Sequence, residues 1–165
     1  MESMKGIVAY DSVNGNTKQV AEAIAQEIRS QGHEAELVFV EEAMSSPVGD
    51  FMFIGSPTRA SKMTKDTMRF IENLDTGHWK SRPIVAFDTV GPLSKDAEKR
   101  RLWLDRVDQG SKNAASRIME ACSKRGLSVR PKLLHLAVTG MWGPLAPDAL
   151  DMARDYTRGF LNRVR

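Results

Sequence analysis

Between a short apolar run, Ile7-Val8-Ala9-Tyr10, and an amphipathic stretch that starts near Lys18 lies the heptad Asp11-Ser12-Val13-Asn14-Gly15-Asn16-Thr17. These residue types, in this place, are those of an anion site. A turn rich in Ser, Asn, Gly and Thr that leads from a strand into a helix collects unpaired backbone N–H groups. The helix dipole favours negative charge at the same point. Gly15 provides a position without a Cβ where the backbone turns or meets a ligand closely. The spacing matches neither Gly-x-Gly-x-x-Gly nor Gly-x-x-x-x-Gly-Lys-Ser/Thr. The implied chemistry is capture of one phosphomonoester by the neutral donors of Ser12, Val13, Asn14, Gly15, Asn16 and Thr17. The plainer alternative is a Ser/Asn helix cap with no ligand.

The run Ser12-x-Asn14-Gly15-Asn16-Thr17 after a strand resembles the phosphate loop of the flavodoxin family, which holds the phosphate of FMN. In flavodoxins that cofactor is already known to sit where the first and third strands part. Asn14 stands where the family usually carries a Thr hydroxyl, and its amide can donate in place of the hydroxyl. The resemblance implies non-covalently bound FMN and electron transfer.

The elements that must position this loop follow from apolar runs and their spacing. Apolar runs at 7–10, 35–40, 51–54, 84–87 and 133–138 read as strands, with Glu34 and Glu36 marking the second as an edge. Helical spacing follows each in turn: Val20, Ile24 and Ile28; a short turn at 41–49; Met63 to Leu74; Ala114 to Cys122; and a stripe from Leu150 to Val164. Five alternations of strand and helix predict a parallel sheet covered on both faces. With the resemblance, the expected fold is an α/β three-layer sandwich whose five-stranded parallel sheet has the order 2-1-3-4-5. A response-regulator receiver shares this alternation. It needs a phosphoacceptor Asp at the end of the third strand, where Gly55-Ser56-Pro57-Thr58 stands, and an acidic pair after the first, where only Asp11 is acidic.

The bulk properties agree with a single domain. The 165 residues, 41% hydrophobic and 27% charged, suffice for one core and fall short of two. An excess of 24 Lys and Arg over 21 Asp and Glu gives a net charge of +3, too small to argue for nucleic-acid binding, although flavodoxins are typically acidic. No apolar run is long enough to span a bilayer, and residues 1–5 lack the apolar region of a signal peptide. Cys122 is the single cysteine, so neither an intrachain disulfide nor a thiolate metal cluster is available. His33, His78 and His135 show no metal-ligand spacing. A cytoplasmic location is expected.

Ligands of open parallel sheets bind beyond the carboxyl ends of the strands. By that rule, and by position in the resembled family, two further loops belong to the site. One carries Pro57, Thr58, Arg59 and Ala60; the other carries Asp88, Thr89, Val90 and Gly91. Neither holds the aromatic residue with which flavodoxins commonly cover the flavin ring. Trp103, Trp142 or Met63 is left to cover it, or the face is open to a substrate. Arg59 and Lys62 are either cations beside the ring or ordinary surface charges.

The stretch 94–109 exceeds the needs of a loop. Leu102, Trp103 and Val107 predict the stripe of an extra helix, and an insertion is expected over 93–110 of a single domain spanning 1–165. Mixed charge there suits a solvated face or a lid beside the flavin. Three functions follow: an FMN electron carrier serving a redox partner protein; an FMN-dependent oxidoreductase acting on a quinone- or porphyrinogen-type acceptor; or a cofactor-free interaction domain.

Overall fold

The computed structural model describes residues 2–107 and 112–164. Along the chain it forms β1 (Lys5–Tyr10), α1 (Asn16–Ser30), β2 (Glu34–Phe39), a 3₁₀ turn (Val40–Glu42), β3 (Phe51–Pro57), α2 (Lys65–Glu72) and α3 (Thr76–Trp79). There follow β4 (Ile84–Val90), α4 (Ala97–Arg106), α5 (Ala114–Lys124), β5 (Leu134–Ala137) and α6 (Ala149–Val164). The strands pair in parallel in the order β2-β1-β3-β4-β5. This is the expected α/β sandwich.

The alternation of side chains along the central strands explains both layers. Val8, Phe53, Val85 and Phe87 point to one face, where α1 and α6 bring Ile24, Ile28 and Phe160. Ile7, Met52, Ile54, Ile84 and Ala86 point to the other, where α2 and α5 bring Phe70, Ile71 and Ile118. A strand buried on both faces needs apolar residues at successive positions, which is why β1, β3 and β4 read as unbroken apolar runs. β2 buries one face, and its Glu34 and Glu36 lie out at the sheet edge. Gly55 is required inside the sheet, since a Cβ there would run into the Phe87 ring.

Three elements depart from the expected pattern. β4 continues to Val90, so Asp88, Thr89 and Val90 belong to a strand. Pairing of Ser56 with Asp88 and of Pro57 with Thr89 carries the ladder past the apolar run. The helix expected over 63–74 is shorter, and a separate turn, α3, follows. Asp75 caps it, and it exists to bury Trp79, whose indole N–H donates to Pro47 O at 3.0 Å. The helix expected in the long connection is present as α4, but its phase differs. Leu102 and Trp103 are about half exposed, while Leu104 packs against the core and Arg100 is buried. Arg100 donates to Ser94 O and Lys95 O and pairs with Asp148 at 3.4 Å. A buried guanidinium with several acceptors, in place of an apolar stripe, ties this helix down. Asp108, Gln109 and Gly110, at the end of the expected insertion, lie outside the described residues.

Candidate functional site

The first loop behaves as a donor cluster. Asp11 closes β1 by donating its N–H to Gly55 O at 3.0 Å and accepts the Ser12 N–H on its carboxylate at 2.9 Å. Gly15, at φ 88°, is the N-cap of α1. Ser12 Oγ accepts Gly15 N–H at 3.1 Å and Lys18 N–H at 3.4 Å. Among the described residues, the N–H groups of Val13, Asn14, Asn16 and Thr17 find no protein acceptor. Four unpaired donors around one helix start, at the positive end of its dipole, are the kind of cluster that favours an anion. Thr17 is buried and its hydroxyl meets that of Thr89 at 2.9 Å, joining the first loop to β4.

The second loop is drawn onto β4 by Thr58, whose N–H donates to Thr89 O at 2.9 Å. Arg59 and Lys62 exchange backbone hydrogen bonds at 2.8 and 2.9 Å around Ala60 and Ser61. Both turn residues are left-handed, at φ 50° and 67°. Such a turn favours Asn-Gly, and each non-glycine residue there stores about 1–2 kcal/mol. Backbone strain of this kind is concentrated at functional sites.

These loops line a cleft of about 290 Å³. Of the residues expected in the site, Asn14, Asn16, Pro57, Thr58, Arg59, Ala60, Thr89, Val90 and Gly91 line it. Ser12, Val13, Gly15, Thr17 and Asp88 do not line it. A fourth segment joins them, with Val138, Gly140, Met141 and Trp142 on the cleft wall. Only Trp142 of these had been singled out in the sequence. A larger groove, about 520 Å³, lies between α4, β5 and α6. None of its lining residues belongs to the loops that follow β1 and β3 or to the end of β4, so the smaller cleft is the better site despite its size.

A family model described as a flavodoxin domain matches residues 7–137, most of the chain. The chain belongs to the flavodoxin family. A flavodoxin from Aquifex aeolicus (strain VF5) is 36% identical over 78 residues, 46% of this chain, and the match spans 42% of that relative's length. A solved flavodoxin from the domain Archaea superposes with a TM-score of 0.72 at 21% identity, covering 98% of this chain and 99% of that one. A flavodoxin, WrbA-like protein from Agrobacterium tumefaciens gives 0.65 at 18% identity, over 98% and 97% of the two chains. Rubredoxin oxygen:oxidoreductase from Desulfovibrio gigas gives 0.64 at 17% identity, covering 97% of this chain and 37% of that one. The three structural likenesses show a shared fold.

In this flavodoxin-family chain, Asp88 acts from behind the cleft. It is fully buried, and its Oδ1 lies 2.7 Å from His135 Nδ1. Oδ2 accepts the Ala115 N–H at 2.9 Å, in the first turn of α5, and the Thr58 hydroxyl at 3.3 Å. The Ala114 N–H in turn donates to Thr58 Oγ1 at 3.0 Å. One carboxylate thus ties the second loop, β5 and the start of α5 together, with the α5 dipole favouring its charge. Arg59 lies on the cleft wall, and Lys62 does not. Neither has an ion-pair partner among the described residues. Cys122 is fully buried, and burial pushes its thiol up to about 12, which makes it an inert core residue.

Below the first loop, carboxylate oxygens of Asp11, Glu41 and Asp66 lie within 4.8 Å of one another. A hydrogen bond to Asp11 and the Asp11 charge hold the Glu41 carboxyl above its ordinary value, with burial and the charges of Asp66 and Glu42 adding to the shift. The folded state therefore binds more protons than the unfolded state above the ordinary value of 4.5. By linkage, stability falls as pH rises from there through the raised folded value. Glu41→Gln is expected to melt at a higher temperature than wild type at pH 7, with the gain vanishing near pH 4. Thermal unfolding across that range checks it; a gain that persists at pH 4 contradicts the electrostatic origin.

Proposed function

We propose that this chain binds FMN non-covalently in the cleft and serves as an electron carrier. The observation that supports it most is the set of four free N–H donors around the start of α1, two of them on residues that line the cleft. The residues present fit the cofactor. A phosphate dianion satisfies donors that the protein leaves without acceptors, and hydrogen bonds to a charged group contribute roughly 1.5–3 kcal/mol each. The walls from Pro57 to Ala60 and from Thr89 to Gly91 then hold the ring and ribityl chain. FMN supplies the electron-transfer chemistry when bound, and the protein supplies position and electrostatics.

In this reading Ser12 shapes the loop and Gly15 lets it turn. Thr17 and Thr89 hold the first loop against β4, while Asp88 and Thr58 hold the second. Among the described residues that line the cleft none is a carboxylate, histidine, lysine, cysteine or tyrosine, which favours a carrier passing electrons to a redox partner protein. A quinone-like acceptor in the open cleft is the second reading, favoured by the absence of an aromatic side chain from the second and third loops.

Purified apo-protein titrated with FMN should take up one equivalent, quench its fluorescence and shift its visible spectrum. Loaded protein should oxidise NADPH slowly and gain little from added quinone. Rapid quinone turnover would move the assignment to an oxidoreductase, and a protein that takes up no FMN would leave the interaction domain.

Among the described residues no helix is long and apolar enough to cross a membrane.

A further inference from the structure

We propose that Trp142 is the aromatic wall of this cleft, set by a fourth loop to stack on the flat ring of a bound flavin; the inference rests on the FMN reading above. The first three loops bring amide, hydroxyl, guanidinium and small aliphatic groups to the cleft. Trp142 is the one aromatic side chain among its described lining residues.

The three tryptophans differ in what they do. Trp79 is fully buried in the core. Trp103 is 46% exposed on α4 and does not line the cleft. Trp142 is 68% exposed, and beside it Met141 is 73% exposed. Two adjacent large apolar side chains left in water at the rim of a cleft form a patch that binding can bury.

The loop that carries Trp142 is held firmly. Val138 and Leu145 bracket it as an antiparallel bridge, and Thr139 N–H donates to Pro144 O at 3.0 Å. Leu93 N–H donates to Val138 O at 2.8 Å, which seats the third loop against the fourth. The decisive contact comes from the first loop: Asn16 Nδ2 donates to Trp142 O at 3.2 Å. Gly143, at φ 124°, lets the chain pass Asn16, since a Cβ there would lie 2.9 Å from Asn16 Oδ1. The Asn16 side chain is therefore a tether for the tryptophan loop, and its backbone N–H is what it offers to an anion. The tether fixes the Trp142 backbone beside the phosphate seat while its indole stays uncovered, ready to close on a ring held between the second and third loops.

The test measures the dissociation constants of FMN and of riboflavin, by flavin fluorescence, for wild type, Trp142→Ala, Trp142→Phe and Trp103→Ala. Trp142→Ala should weaken both ligands by about tenfold and restore fluorescence to the bound flavin, because stacking acts on the ring they share. Trp142→Phe should stay within about threefold of wild type, and Trp103→Ala should match it. Wild-type affinity for both flavins in Trp142→Ala overturns the proposal and leaves FMN binding standing. Loss for FMN alone also overturns it, since Trp142 then acts through Asn16 on the phosphate loop. Failure of the wild type to bind either flavin overturns the FMN reading itself, and this inference with it.

Discussion

Asp88→Ala should lower stability by about 3–5 kcal/mol, because each buried donor that loses its acceptor costs about 1–3 kcal/mol. The change strips His135 Nδ1, the Ala115 N–H and the Thr58 hydroxyl of the carboxylate they share. A domain of this size is typically stable by about 5–15 kcal/mol, so the loss is a large share of the total. Each kcal/mol moves the melting temperature by roughly 2–4 °C, which places the expected fall between about 6 and 20 °C. Asp88→Asn keeps the shape and one acceptor, and should lose less than half as much. Thermal and urea unfolding at pH 7 measure both. A loss below about 1 kcal/mol for Asp88→Ala contradicts its role as the anchor of the cleft wall.

Asn14→Asp should separate binding from folding. The substitution keeps the shape of an exposed side chain on the cleft wall and adds one negative charge beside the four free donors. At about 5 Å and an effective dielectric near 20, its repulsion of a phosphate charge is on the order of 3 kcal/mol. Screening at an exposed site reduces that to about 1–2 kcal/mol, or roughly 5- to 30-fold in FMN affinity. The same charge at the start of α1 favours the helix by about 0.3–1 kcal/mol, so the apo-protein should be as stable as wild type or slightly more so. Riboflavin binding should not change. Calorimetric titration with both ligands, beside an apo melting curve, provides the reading. FMN affinity equal to wild type would place the phosphate elsewhere.

What could be read ahead of the structure was the chemistry that is local in sequence. The strand-turn-helix context of Ser12 to Thr17 lies within a dozen residues, so donors and helix start were visible together. The apolar runs of β1, β3 and β4 declare strands buried on both faces, and Glu34 and Glu36 mark β2 as the edge. What escaped depends on partners distant along the chain. The polar end of β4 looks like a loop until its register with β3 is known, and the Asp88 carboxylate gains its role from Thr58, Ala115 and His135. α3 is four residues long, too short for a periodicity to show. The phase of α4 is set by a buried arginine, which a search for apolar stripes passes over. The tryptophan loop reached the site through Asn16, 126 residues away. The carboxylate cluster of Asp11, Glu41 and Asp66 draws on three separate elements, with no spacing to betray it.

In the function proposed above, the start of α1 seats the phosphate of FMN. The ratio of wild-type dissociation constants for riboflavin and FMN, two ligands that differ by that group alone, measures the contribution of this seat. Several charge-assisted hydrogen bonds at roughly 1.5–3 kcal/mol each make FMN tighter by at least about a hundredfold. Equal affinity for the two would contradict the account, since the free amides of Val13, Asn14, Asn16 and Thr17 would then hold nothing.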